Sequence, residues 1–458
     1  MRNRGQLLVA VLVAVGVVAG AVYLDREVGA RPLERGVAPG VPSGAWFCPH
    51  GGGSQDWDVQ LQLANPGPEP VPVRVRTIAS TKPVPPEDHV VEPGTTLVIP
   101  VPGEGRERAT TVEYFGGFVA AGWLSHAGED ASGVAAEPCL PDTGERWLLP
   151  DGTALEENDD YVVVMNPHAT DAVISLTLLT DGRGEPVQTE EWTNVTLKPF
   201  HSRAFKLNDK ALGETTVATV VDVSVGRVAA ATLGISRTGG IRSSVGLPAG
   251  VTTQILPSAA DAGRTALAVM SVGDQRVSLS GTILEPETTQ PLTALADAAP
   301  AGGTSRTVPI TTATPTTLVV QAAGPDVAFA RRTFGVASDQ GSTAGATEPA
   351  AAWIVLPSVV GQPSHPAIAL ANPGAELAVI TLTALPADGA AVPEPVTVEV
   401  PPLSTVTAPK AFVAAASMSS VLATATSGTF VPASASYALG REGFATFAVA
   451  VGVRIPAA

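Results

Sequence analysis

Trp46 stands 19 residues before Asn65, Trp147 stands 19 before Asn166, and Trp353 stands 19 before Asn372, with a proline after each asparagine. Recurrence at one spacing marks an internal repeat, and a repeat constrains the fold more than any single motif because every copy builds the same supersecondary unit. A fourth, degraded copy has Ile255-Leu256-Pro257 in place of the tryptophan segment and Ser271-Val272-Gly273 in place of the turn. The turn positions 65, 166, 271 and 372 are separated by 101, 105 and 101 residues, so the period is near one hundred.

Around each turn the apolar residues alternate with period two, as half-buried strands require. Val59, Leu61 and Leu63 oppose Asp58, Gln60 and Gln62, and after the turn Val71, Val73 and Val75 oppose Arg74 and Arg76. Ile174, Leu176 and Leu178, then Val277, Leu279 and Ile283, then Ala378, Ile380 and Leu382 repeat the pattern in the other copies. Each copy continues with a strand behind a proline and closes with a Gly-led apolar strand such as Gly117 to Trp123 or Gly226 to Ala231. About seven strands in about 100 residues is the size of an immunoglobulin-like sandwich. Glycine and proline, 46 and 41 of 458 residues, fit a turn-rich all-β chain. The expected units are 45–143, 144–252, 253–350 and 351–458. The alternative reads each unit as two four-stranded blades of a β-propeller. Two Gly/Ala/Ser/Thr-rich stretches, 291–305 and 337–352, read as a surface loop and a linker or loop.

Before the first unit, Arg2 and Arg4 precede an apolar run from Leu7 to Leu24, whose 18 residues span about 27 Å. The expectation is a cytoplasmic tail (1–6), a transmembrane signal anchor (7–24) and a Pro/Gly-rich stalk (25–44). The basic tail stays inside and the bulk of the chain lies outside the plasma membrane. Ala19-Gly20-Ala21 allows the alternative of secretion after cleavage. With 43 acidic against 27 basic residues and a net charge of -16, the chain is a poor nucleic-acid binder.

Cys48 and Cys139 bracket the first unit, and in an oxidising exported compartment they are expected to pair, free buried thiols being the alternative. Searches for a nucleophile elbow, a Ser-x-x-Lys pair, a metalloprotease helix motif and a dinucleotide loop find none. The six histidines have no metal-ligand spacing, and most read as exposed loop residues. Asp56 with Asp58, and Glu157 with Asp159, occupy equivalent loops, but Pro363 and His365 replace them in the last copy, so solvated acidic loops are expected rather than calcium sites. No cofactor, metal or catalytic residue is expected. Asn194-Val195-Thr196 fits a glycosylation acceptor by accident of composition, since few lysines and abundant Ala, Val, Gly and Arg suggest a high-GC bacterium.

The apolar anchor followed by repeated Trp…Asn-Pro hairpins resembles an uncharacterised actinobacterial family of signal-anchored envelope proteins, over nearly the whole chain. The unit, with Leu63-Ala64-Asn65-Pro66-Gly67 before an alternating valine strand, also looks like the immunoglobulin-like modules of bacterial surface proteins. The resemblance implies a structural repeat and brings no catalytic residues. The expected function is a non-enzymatic scaffold or interaction module with an envelope protein or glycan partner. The alternative is a polysaccharide binder using exposed Trp57, Trp123 or Trp192, against the plainer reading that these tryptophans pack in the core or between units.

Overall fold

The period-two segments form antiparallel strands throughout. The computed structural model describes residues 43–456 except 54–56, 81–83, 102, 129–132, 238–239, 249, 260–263, 313–314, 325, 335–339, 357–363, 388 and 440–444. The expected tail, anchor and all but the end of the stalk lie outside the described residues. Among the described residues no helix is long and apolar enough to cross a membrane.

The first unit holds β1 (Gly44–Cys48), β2 (Trp57–Ala64), β3 (Val71–Ile78), β4 (Glu87–Val91), β5 (Thr96–Val101), β6 (Ala109–Tyr114), β7 (Ala120–Ala127) and β8 (Gly133–Pro138). The second holds β9 (Arg146–Leu149), β10 (Asn158–Asn166), β11 (Ala172–Thr180), β12 (Val187–Gln188), β13 (Val195–Leu197), β14 (His201–Lys206), β15 (Val217–Val225), β16 (Ala229–Ser236) and β17 (Gly240–Val245). The third holds β18 (Thr253–Ser258), β19 (Arg264–Ser271), β20 (Leu279–Leu284), β21 (Thr289–Pro291), β22 (Thr304–Thr311), β23 (Thr316–Ala322), β24 (Val327–Phe334) and β25 (Gln340–Thr343). The fourth holds β26 (Ala352–Val355), β27 (Ser364–Asn372), β28 (Ala378–Leu385), β29 (Val396–Val400), β30 (Ser404–Thr407), β31 (Ser420–Ser427), β32 (Val431–Leu439), β33 (Ala445–Val451) and β34 (Val453–Arg454).

One strand order recurs in all four. In the first unit the sheets run β1-β6-β3-β4 and β5-β2-β7-β8, and the other units repeat this order, with β12 and β13 together forming the fourth strand of the second. A propeller blade is a sheet of its own, whereas here the chain of each unit crosses repeatedly between two sheets, so each unit is a sandwich. The constant-type immunoglobulin sandwich has seven strands with its first beside its second. These units share eight, with β34 added beside the first strand of the fourth unit, and the first lies beside the sixth. They share the two-sheet architecture and size but order their strands differently.

The four sandwiches close into a ring. The eighth strands meet at its centre: β8 packs against β17 and β33, and β25 packs against the same two. Close approach there demands small residues. A Cβ on Gly133 would lie 2.6 Å from the Ile241 amide nitrogen, and one on Gly122 would lie 2.3 Å from Leu356 Cδ1. The stretch 337–352, expected as a linker or loop, contains β25, whose Gln340, Gly341, Ser342 and Thr343 are all buried. Its composition reflects crowding at the ring centre rather than chain flexibility.

Candidate functional site

The repeat signature is a set of backbone latches. The indole nitrogens of Trp46, Trp147 and Trp353 donate to the carbonyls of Val119, Val228 and Phe430 at 2.6, 2.8 and 2.8 Å, each acceptor immediately preceding the seventh strand of its unit. Asn65, Asn166 and Asn372 are buried, and the Nδ2 of each donates to a carbonyl four residues on, at Glu69, Thr170 and Glu376, and to one at the end of the fourth strand, at Val91, Leu197 and Val400. Their Oδ1 atoms accept from the amides of Gly67, His168 and Gly374, closing an Asx turn. One side chain thus ties the second-to-third-strand turn to the neighbouring strand, which explains why asparagine recurs there.

The third unit departs from this set. Bridges pair Phe47 with Leu140, Leu148 with Leu247 and Ile255 with Ala346, so Gln254, one residue before the apolar segment read as the stand-in, occupies the tryptophan position. Its Nε2 donates to the carbonyls of Phe329 and Ala344. Ser271, at the asparagine position, is buried and its hydroxyl has no partner among the described residues.

Cys48 and Cys139 form a disulfide with Cα atoms 4.6 Å apart, closing 91 residues and joining the first strand of one sheet to the end of the eighth strand of the other. Inside that sandwich Trp123 lies 6.5 Å from the His50 ring and directly opposite Glu137 in the β7–β8 register. His50 lies in the loop after β1 but is fully buried, where an exposed loop residue was expected; burial lowers its pKa to about 4, and its Nε2 lies 2.9 Å from Thr110 Oγ1. Glu137 is also buried with neither carboxyl oxygen partnered among the described residues, and burial holds its pKa well above the usual carboxylate range.

The tryptophans proposed for glycan contact are not exposed. Trp57, Trp123 and Trp192 are 8%, 1% and 5% exposed, because each fills space between sheets or between units. Trp57 lies beneath Arg106, 4.8 Å from its ring, and packs with Val163, Leu233 and Ile241 of the second unit. Trp192 packs edge-on against Phe205 at 5.6 Å. Asp159 forms an ion pair with Lys206 at 2.7 Å, and no cluster of three potential metal ligands occurs among the described residues.

Polar contacts also cross the unit-to-unit seams. In every unit the residue paired with the one just before the asparagine position is a hydroxyl: Thr96 opposite Ala64, Ser202 opposite Met165, Ser305 opposite Met270 and Thr405 opposite Ala371. Each reaches back to the preceding unit. Thr96 Oγ1 donates to the Leu385 carbonyl at 2.7 Å, and its amide donates to the Pro386 carbonyl at 2.9 Å. The Ser202 hydroxyl donates to the Glu107 carbonyl, Ser305 to the Leu179 carbonyl at 2.7 Å and Thr405 to Thr317 Oγ1 at 2.8 Å. A hydroxyl donor at one register position therefore recurs at four seams, including the one joining the fourth unit to the first, with a main-chain carbonyl as acceptor at three and a threonine hydroxyl at the other.

A second register position distinguishes the seams. Leu124, Leu233, Arg332 and Ala435 lie opposite Gln60, Tyr161, Ala266 and Ala367, five residues before the asparagine position. Leu124 meets Ala448 and Ala450 of the fourth unit, Leu233 meets Trp57, Ala127 and Ala135 of the first, and Ala435 meets Ala259 of the third. At the remaining seam Arg332 forms an ion pair with Asp151 of the second unit, its Nε 2.9 Å from Oδ1. Arg242 bridges Asp151 at 3.3 Å and also binds Asp160. Burial alone would raise the Asp151 pKa, but Arg332 and Arg242 override it and hold the carboxyl below its usual range. Nothing in the sequence pairs Asp151 with Arg332, which are separated by a whole unit. Arg331, one residue away, points into its own sandwich and donates to the carbonyls of Leu256 and Thr316 at 3.0 and 2.8 Å; burial lowers its pKa to about 9.

Residues 108–352 match the sequence model of a family of unknown function, DUF5719, from the start of β6 through the second and third units. That is more than half the chain, which therefore belongs to this family. A crystal structure of a tetra-tandem repeat in the extending region of a large adhesion protein aligns over 85% of this chain and 92% of its own, at 11% identity and a TM-score of 0.10. No curated protein shows a significant match.

Proposed function

We propose that this member of the DUF5719 family is a non-enzymatic envelope protein of an actinobacterium. In this reading residues 7–24 hold it at the plasma membrane with its tail inside, and the ring stands outside as a scaffold or protein-interaction module. Its immunoglobulin-like units would serve as a rigid platform rather than as separate binding modules on a string. The closed ring carries this reading: Asp151, Asp160, Arg242, Arg331 and Arg332 are spent on internal hydrogen bonds and ion pairs, with the Arg332–Asp151 pair joining two units. Groups engaged in this way do not face a substrate. The Cys48–Cys139 disulfide supports an oxidising compartment, and the apolar run at 7–24 supports anchoring. An envelope glycan would have to bind away from the six tryptophans, all of which are buried.

The test is proximity labelling in the native host, with the labelling enzyme fused to the C-terminus of the full chain and a fusion of residues 1–44 as control. Enrichment of defined envelope proteins from the outer face is the expected outcome. Labelling indistinguishable from the control, or labelling of cytoplasmic proteins, would overturn the proposal.

A further inference from the structure

The repeat has a second, longer period. Positions 65 and 271 are 206 residues apart, and so are positions 166 and 372, because the intervals alternate as 101, 105 and 101. The structure follows this longer period. In the second unit the ladder between the third and sixth strands slips between Val173 and Ile174, and in the fourth it slips between Val379 and Ile380, at the same offset from Asn166 and Asn372. The residue skipped in the sixth strand carries a hydroxyl in both, and Ser224 and Thr426 donate to the carbonyls of Val173 and Val379 at 3.3 Å. The first and third units have no slip in this ladder. A short helix between the fifth and sixth strands, Asn208–Ala211 or Lys410–Ala415, is likewise confined to the second and fourth units among the described residues.

The seams alternate in the same way. Two residues before each seam hydroxyl the backbone is left-handed, with φ of 64°, 56°, 71° and 50° at Gly94, Phe200, Gly303 and Leu403. Glycine takes this conformation freely and a bulky residue does so under strain, so the first and third units are relaxed here and the second and fourth are not. Phe200 lies under Arg76 of the first unit, 4.6 Å from its ring, and the Leu403 carbonyl accepts from Thr289 of the third at 2.8 Å. Thr96 and Ser305, behind the glycines, donate to the carbonyls of Leu385 and Leu179, which stand at one offset after Asn372 and Asn166. Ser202 and Thr405, behind the bulky residues, donate instead at the start of the sixth strand, to the Glu107 carbonyl and Thr317 Oγ1. The seams within the first pair and within the last pair of units are therefore of one kind, and the two seams joining the pairs are of another.

A two-fold dimer repeats every contact twice, which is the pattern of these alternating seams. We propose that the ring is a fused dimer of two-unit halves, 44–248 and 249–456, and that the two seams between the halves form a protein–protein interface made for a second two-unit half. The partner that fits is a half of the same kind, which presents a glycine-led hydroxyl from its first sandwich, as Gly94-Thr95-Thr96 and Gly303-Thr304-Ser305 do, and the acceptor carbonyl from its second. Within a half the contact is apolar, with Trp57 and Ala135 against Val163, Leu233 and Ile241. The Arg332–Asp151 pair occurs at one of the two joining seams and directs the first half to the second rather than to a copy of itself.

The test uses the full chain in detergent, folded and then cleaved at a protease site inserted between Pro248 and Ala249, the junction of the halves. Nicked protein is mixed with its isotope-labelled copy at rising urea, and mixed rings are counted by native mass spectrometry after dilution. A second protein carries the site between Pro141 and Asp142, both exposed, inside the first half. Mixed rings are expected at a lower urea concentration from the first nick, which lets halves part with no seam inside a half broken. Thr96→Val with Ser305→Ala should speed that exchange about thirty-fold, for two lost hydrogen bonds, while Ser202→Ala with Thr405→Val should change it less than about three-fold. Exchange at equal or lower urea from the second nick, exchange only on complete unfolding, or equal effects of the two pairs of substitutions overturns the proposal.

Discussion

Replacing Arg332 by leucine tests whether the seam between the second and third units is held by its ion cluster. Leucine is the residue at the same register in the second unit, Leu233, so the shape suits a seam of this kind. The substitution removes two N–H donors from Asp151 Oδ1 and leaves a carboxylate that is 2% exposed with only Arg242 as its charged partner. Breaking a buried pair by deleting one partner costs about 3–5 kcal/mol, because the survivor stays desolvated. The Arg332 side chain is 12% exposed, which places the expectation at the lower end, about 3 kcal/mol. The pH dependence gives a sharper signature. In the native ring Asp151 has a depressed pKa, so its contribution is complete above the unfolded carboxylate value and is lost only as pH falls through the lower folded value. Without Arg332, burial is the largest remaining influence and the carboxyl pKa moves upward. The deficit of the variant should then grow between about pH 4 and pH 7 and shrink in acid. Urea denaturation of the full chain in detergent, followed by tryptophan fluorescence, measures both. A loss below about 1 kcal/mol at pH 7, or a loss that is the same at pH 3 and pH 7, would refute the reasoning. A double variant that also carries Asp151→Leu should recover most of the loss, since a dry apolar replacement is often neutral.

Three further outcomes concern the first unit. His50, neutral and buried with a pKa lowered to about 4, binds its proton more readily in the unfolded chain, so stability should fall by about 3 kcal/mol as pH drops from 6.5 through 4; His50→Gln should flatten that limb in a pH series of melting temperatures, and an unchanged limb would show that another group titrates. Glu137 has the opposite sign: its raised pKa keeps the folded state protonated, so stability declines as pH rises above the usual carboxylate value. Glu137→Gln should therefore raise the melting temperature at pH 7 more than at pH 4, and a lower melting temperature at pH 7 would count against a neutral buried acid. Changing Cys48 and Cys139 together to serine should cost up to about 4–5 kcal/mol for the 91-residue loop, read as a lower urea midpoint, and a midpoint unmoved by the change would mean the bridge adds no constraint.

Period-two alternation and the recurring turns made the all-β class legible, since both are local features of the chain. The disulfide was legible because two cysteines bracketed one repeat. The ring was not, because closure depends on contacts such as Thr96 to Leu385 that join the two ends of the folded chain, and a lone threonine at a strand start carries no such signal. Composition misled where crowding and flexibility select the same residues: Gln340-Gly341-Ser342-Thr343 reads like a linker but is a central strand. Residues 291–305 read as a loop, yet Leu292 and Leu295 within them plug a sandwich. For Trp57, Trp123 and Trp192 packing in the core or between units and exposure to glycan were both open, since sequence cannot separate a rim residue from one covered by the next unit; packing is what the structure shows.

The propeller alternative failed for the sheets, but its central idea, circular closure, holds one level higher. Four similar units joined head to tail make heterologous contacts, and such contacts either close or continue as an open array. The chain itself links three seams, so the fourth closes only if the rotation per unit is right. The hydroxyl donor recurs at one register position at every seam, so it cannot tell one seam from another. The position occupied by Leu124, Leu233, Arg332 and Ala435 can. Arg332 set against Ala127 and Ala135 of the first unit would be a buried charge without a partner, and Leu233 set against Asp151 and Asp160 would leave two carboxylates to Arg242 alone. Mispairing therefore carries the desolvation cost of an unpaired buried charge, and the order of units is specified by repulsion at one position as well as by attraction at four.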